Sequence, residues 1–155
     1  MTIKDFDNKL ERKRARRRKY VVETPPNLET SITLEGIALQ DIFKGSLRAL
    51  GHLLSPGTCS SLTHYDCIMK IEVSAPDYEL LLVQFLTKVL ALGYTHKAIF
   101  CTTYFEEFSE KRLVAQLYGT WFMSYDKEIK SVIRQKCSIA RDEDFSCRGT
   151  ITFKY

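Results

Sequence analysis

The chain has 155 residues, 45% of them hydrophobic and 12% aromatic, which is enough for one domain with a sizeable core of its own. Its five cysteines (Cys59, Cys67, Cys101, Cys137, Cys147) are an odd number without framework spacing, and no apolar run has the length for export or membrane spanning. A disulfide-stapled secreted module and a membrane protein are thereby excluded, and a reduced, cytoplasmic setting is expected.

The net charge of +4 is unevenly spread: residues 1–19 hold nine Lys/Arg against three Asp/Glu, a charge of +6, which leaves −2 for the other 136 residues. Within this stretch Arg12, Lys13, Arg14, Arg16, Arg17, Arg18 and Lys19 leave almost nothing to bury, so a disordered basic tail is predicted. Two uses are open to it. Dense guanidinium and ammonium groups displace counterions from RNA or DNA without reading sequence, and the same residues also make a plain solubilising terminus. Two prolines at 25 and 26 make residues 24–27 an extended linker, so the tail and linker occupy 1–27 and the folded domain 28–155.

Ile32 and Leu34, alternating with Ser31, Thr33 and Glu35, mark a first strand that ends at Gly36. Residues 39–54 follow as an amphipathic helix with Leu39, Ile42, Phe43, Leu47, Leu50 and Leu54 inward. Gly45 and Gly51 weaken it by about 1 kcal/mol each relative to Ala, so packing must hold it, with Gly45 suited to close approach of a second helix. Ser55-Pro56-Gly57 breaks the pattern, and a polar loop runs to Asp66 before a strand at 68–74.

The richest helical pattern is at 77–93, where Leu81, Leu82, Phe85, Leu86, Val89 and Leu92 recur at three- and four-residue intervals and Glu79, Thr87 and Lys88 form a narrower wet face. Ser74 as cap and Pro76 in the first turn supply the start, with the Asp77 carboxylate on the exposed amides, and Gly93 a left-handed stop. Strands are predicted at 98–105, 112–123, 129–140 and 145–155; in the last, Phe145, Cys147, Ile151, Phe153 and Tyr155 face one way. The order implies an α+β domain, two amphipathic helices packed on one face of a mainly antiparallel sheet.

Catalytic motifs are missing from the sequence: it has no phosphate-cradling glycine loop, no Gly-x-Ser-x-Gly elbow and no His-x-x-x-His pair. Cys59, His64 and Cys67, with His52 upstream, are zinc-ligand types in a polar loop, but their spacing is not a zinc pattern and loop polarity explains them better. No metal and no cofactor are expected. His96 reads as a surface residue and Trp121 as a core residue.

Residues 29–54 resemble the opening of the archeases, a strand and Gly turn followed by a Leu-x-x-x-Phe helix. Residues 73–86 are similar to the family's acidic turn and Leu-Leu-Val-x-Trp-Leu helix, with Phe85 where Trp is usual, and the likeness continues at Tyr118-Gly119 and at 129–135. The resemblance implies an SHS2-type α+β module. It also implies a non-catalytic accessory role toward a protein partner, the tRNA-splicing RNA ligase, whose guanylylation and turnover archeases promote. The family holds a divalent ion between an Asp of a His-x-x-Asp motif, an Asp just before the last residue and the terminal carboxylate. At those positions this sequence has Pro26, Glu29, Lys154 and Tyr155, and Lys130 and Val132 remain of a Lys-Ala-Val-Thr-Tyr-His stretch. The resemblance therefore implies a degenerate metal site, in which the Lys154 ammonium faces Glu29 in place of the ion; the alternatives are two ordinary surface charges, or a metal still held by the Glu29 and Tyr155 carboxylates with Lys154 turned away. An alternative implied role is a diverged SHS2-type interaction module with a polyanion-binding tail and no ligase-activating function.

Overall fold

The computed structural model describes residues 20–23, for their backbone, 28–141 and 146–155. The basic residues from Arg12 to Lys19 and the linker at 24–27 lie outside the described residues, as does Phe145. In chain order the elements are β1 (Tyr20–Glu23), β2 (Glu29–Gly36), α1 (Leu39–Leu54), β3 (Cys67–Ser74), α2 (Tyr78–His96), β4 (Ala98–Phe108), β5 (Arg112–Trp121), β6 (Ser131–Val132), β7 (Ser138–Arg141) and β8 (Cys147–Lys154), with 3-10 turns at Cys59–Ser61 and Arg134–Lys136. Among these described residues no helix is long and apolar enough to cross a membrane.

Helix α1 has the predicted bounds. The Asp41 carboxylate accepts from the backbone N–H groups of Ile37 and Ala38 at 3.0 and 2.9 Å, fixing the chain entry. Gly45 does not meet the second helix. A Cβ there would lie 2.7 Å from Leu34 Cδ2, so the close approach is to β2, while at Gly51 it would lie 2.9 Å from the Phe100 carbonyl of β4.

Helix α2 starts later and ends later than its sequence pattern suggests. Ser74 is the last residue of β3, and the cap is Asp77, whose carboxylate accepts from Leu80 N at 2.8 Å. The helix runs through Gly93 to His96, and Lys97 takes the left-handed position with φ 53°. Gly93 serves packing: a Cβ on it would stand 2.9 Å from the Ala98 carbonyl.

The helices pack against two antiparallel sheets where the sequence reading has one. The larger has the order β1-β2-β8-β6, with β7 also paired to β8, and the smaller the order β3-β5-β4. Tyr20–Glu23, within the stretch read as tail and linker, pairs with β2 from Tyr20↔Leu34 to Glu23↔Ser31. Ile32, Leu34, Ile151 and Phe153 of the larger sheet are fully buried, as are Phe43 of α1 and Phe85 of α2. Phe43 stacks at 5.7 Å from Phe85 and 5.0 Å from Phe108 of β4. Each such side chain contributes about 1.5–3 kcal/mol by leaving water. His96 is exposed as expected, but Trp121, the last residue of β5, is 52% exposed and not in the core.

The predicted strand at 129–140 is broken. Val132 stands against Phe153 and Ser138 against Thr150, so six steps on this strand face three on β8. The Arg134–Lys136 turn absorbs the surplus.

Candidate functional site at one end of the larger sheet

The register places Glu29 of β2 opposite Lys154 of β8, and Lys154 opposite Ser131 of β6, so the three occupy one row across the sheet. The next row on the same face joins Ser31 Oγ to Thr152 Oγ1 at 2.8 Å. Thr152 lies on the polar side of β8 and is still only 1% exposed. Its carbonyl accepts from Ile133 N at 2.8 Å, where the broken strand begins its turn.

That turn decides the electrostatics. It carries Lys136 over β8 to β2, and Lys136 Nζ donates to Glu29 Oε2 at 2.6 Å. The ammonium beside Glu29 therefore comes from Lys136, not from Lys154, which is exposed across the ladder. The pair is half in water, with Glu29 20% and Lys136 52% exposed, so it is worth roughly 0.5 kcal/mol. An incoming cation meets a neutralised carboxylate here instead of a free anionic ligand.

Three further residues close the end of the sheet. Tyr155 donates its backbone N–H to Leu28 O at 3.0 Å, its hydroxyl meets Thr30 Oγ1, and burial pushes its pKa up, partly offset by that hydrogen bond. Lys127 Nζ sits 4.9 Å from the centroid of the Tyr155 ring. Lys130, exposed, is held by its backbone N–H to Lys154 O at 2.7 Å.

Two clamps hold the segment that delivers these lysines. Tyr94 of α2 donates its hydroxyl to Ile129 O at 2.8 Å and accepts from Ile129 N at 2.7 Å, while the Tyr125 hydroxyl bonds the carbonyls of Gly93 and Ala98. Beyond the turn, Glu79 accepts from Ile139 N at 2.7 Å, so this carboxylate from the predicted wet face anchors β7 to α2. Cys137 lies behind it with its thiol pushed up to about 12, first by burial and then by Glu79 and Asp77, and so stays protonated.

The family-site positions Glu29, Lys130, Lys154 and Tyr155 are thus brought to one end of the sheet. Lys136, Lys127 and the two tyrosine clamps are additions that sequence reasoning missed. Lys136 had no signal, because a continuous strand would not carry it over β8. Among the described residues no three of His, Cys, Asp and Glu gather to hold a metal ion. Cys59, His64 and Cys67 do not converge: Cys67 is buried in β3 with its pKa raised by burial, and Cys59 is bonded to Cys101. That disulfide corrects the expectation of an all-thiol chain, because two cysteines 42 residues apart become neighbours only through the tertiary fold.

The model of the Archease protein family (MTH1598/TM1083) matches residues 30–153. Among solved structures, the chain is similar to the solution structure of Methanobacterium thermoautotrophicum protein 1598, with 17% identity and TM-score 0.70 over 89% of this chain and 99% of that one. It is also similar to a crystal structure of an archease, a possible chaperone, from Thermotoga maritima, with 9% identity and TM-score 0.57 over 86% and 97%. At such identities these likenesses concern the fold. No curated protein sequence matches the chain.

Proposed function

Because the chain belongs to the archease family, we propose that it is a non-catalytic accessory protein that works in the cytoplasm by contact with an RNA-processing enzyme, a tRNA-splicing RNA ligase first among the candidates. The observation that carries this reading is the family match over residues 30–153, joined to the likeness in fold to the two solved structures. The basic residues from Arg12 to Lys19 would add RNA phosphate contact independent of sequence.

One observation favours a second reading, a diverged interaction module that no longer activates a ligase. Glu29 is neutralised by Lys136, and Lys154 adds a further ammonium in the same row, so this end of the domain is poorly suited to a divalent cation. The experiment that separates the two is capture of the RNA ligase from the same source, followed by its nucleotidylation with GTP and a divalent ion. A raised yield of nucleotidylated ligase supports the accessory role; binding without activation leaves the module, and no binding removes the ligase. For the tail, phosphate contact is tested by RNA binding: the affinity is expected to fall steeply from low to physiological salt, and deletion of residues 1–19 is expected to abolish it. Binding that ignores salt or truncation refutes phosphate contact.

A further inference from the structure

The connection from α1 to β3 is tied to the fold in an unusual way. Among the described residues, the side-chain hydrogen bonds of 55–66 run between its own members, among them Ser55 Oγ to Thr58 Oγ1 at 2.5 Å, Ser60 Oγ to Gly57 O at 3.0 Å and Ser61 Oγ to Thr58 O at 2.9 Å, while the Ser55 backbone N–H ends helix α1 on Gly51 O at 3.0 Å. From Ser60 to Asp66 all but Leu62 are exposed. Two specific side-chain links join its outer part to the smaller sheet. One is the Cys59–Cys101 disulfide, and the other sets Tyr65 against Tyr118 with ring centroids 6.0 Å apart.

The elements on either side need neither contact. Helix α1 is held by ten buried residues, from Ile42 to Leu54, and β4 by its ladder to β5. Cys101 itself occupies the irregularity between Phe100 and Thr102 where β4 steps out of register, the kind of bulge that re-aims one side chain. It is 5% exposed, whereas Cys59 is partly open to solvent.

The geometry points to a redox-operated latch: the Cys59–Cys101 bond seats residues 55–66 against the smaller sheet when oxidised and frees them, without loosening the core, when a dithiol reductant opens it. A thiolate of the reductant attacks the sulfur of Cys59, the more exposed residue of the pair, and the bond to Cys101 breaks. Cys101 leaves as a thiolate and takes a proton. The second thiol of the reductant then attacks the mixed disulfide and releases Cys59, which is protonated in turn; two electrons have passed to the protein and the reductant leaves as a disulfide. The released segment takes Tyr65 away from Tyr118, which shares a row with the 60% exposed Ile68 on the outer face of β3 and β5. The oxidised and reduced proteins thus present different outer faces on the same fold.

The test uses the full chain, equilibrated in glutathione redox buffer or treated with dithiothreitol under native conditions, alkylated with N-ethylmaleimide and mapped by mass spectrometry. Peptides holding Cys59 and Cys101 are expected linked in the first case and both alkylated in the second. Amide exchange across 56–66 is expected to rise at least tenfold on reduction, with α1, α2, β4 and β5 within twofold, and Cys59→Ser is expected to reproduce the reduced pattern. Should that variant fail to fold, the reduced wild-type chain gives the same reading. A pair that stays as thiols in the redox buffer, a bond that opens only when the whole domain unfolds, or exchange across 56–66 that does not move would each overturn the proposal.

Discussion

Replacing Tyr94 by Phe removes one oxygen atom and keeps the ring that stands edge-on to Tyr125 at 5.2 Å. The loss falls on Ile129, whose N–H and C=O are both bonded to that oxygen and whose residue is fully buried, so neither group can turn to water. Leaving two buried backbone groups unpaired costs about 2–3 kcal/mol, after some relaxation of the segment. The same change has a signature at high pH. Burial raises the Tyr94 pKa, so the folded state holds its proton where the unfolded chain has lost it; the stability this supplies is complete below pH ~10 and is lost as pH rises through the folded value. Tyr125 titrates in the same direction, through burial and then the charge on Tyr94. Urea unfolding at pH 7.5 and 10.5 should show Tyr94→Phe less stable by about 2 kcal/mol at the lower pH, with an unchanged slope against urea and a shallower loss between the two pH values. A change below about 0.5 kcal/mol, or equal alkaline losses in both proteins, would refute the clamp as the anchor of Ile129 and of the lysines beside it.

At Glu29, a double-mutant cycle with Glu29→Gln and Lys136→Met should give a coupling of about 0.5 kcal/mol in chemical denaturation, and the same cycle with Lys154→Met should give none; the reverse order would reassign the partner. Gly119→Ala should cost more than about 3 kcal/mol by thermal or urea unfolding, because its Cβ would fall 1.9 Å from the Ile99 carbonyl, whereas Gly57→Ala, at φ +85° with open space around it, should cost about 1 kcal/mol. Comparable losses at both sites would undo that contrast. Titration calorimetry of the wild-type protein with manganese, magnesium and calcium should show no saturable heat; tight binding would mean that Lys136 and Lys154 yield to an ion and would refute the reading of this end of the sheet as poorly suited to a divalent cation.

What the sequence made legible follows from which forces are local. Helix α1 could be bounded at both ends because its apolar stripe and the Ser55-Pro56-Gly57 break are written in consecutive residues. The β8 alternation holds in part for the same reason, with Cys147, Ile151 and Phe153 buried and Arg148 and Lys154 exposed, while Thr152 on the polar side is buried as well, under the turn that the sequence does not announce. Gly93 misled because a glycine required by a neighbouring carbonyl and a glycine that ends a helix look alike until the neighbour is known. Residues 129–140 misled because their alternation survives on both sides of the turn, and nothing in the residues announces three surplus positions that only the β8 register reveals. The candidate site was half legible: Glu29 and Lys154 face each other as expected, but the choice of Lys136 as ion partner depends on that turn.

The position of β8 also sets an order of assembly. The smaller sheet and α2 are contiguous in sequence from residue 67 to 121, so they can pair and pack while the remainder is still being synthesised. The larger sheet cannot, because β8, the strand that joins β2 to β6 and β7, comes last in the order of elements, and the β2 edge away from β1 waits for it across the whole intervening chain. Until then Ile32 and Leu34, and the α1 face that covers them, lack the Ile151 and Phe153 side of their core. Nascent chains of this protein should therefore pass through a stage with one half native and the other exposing apolar surface, the stage at which a holding chaperone would find them and at which aggregation would begin.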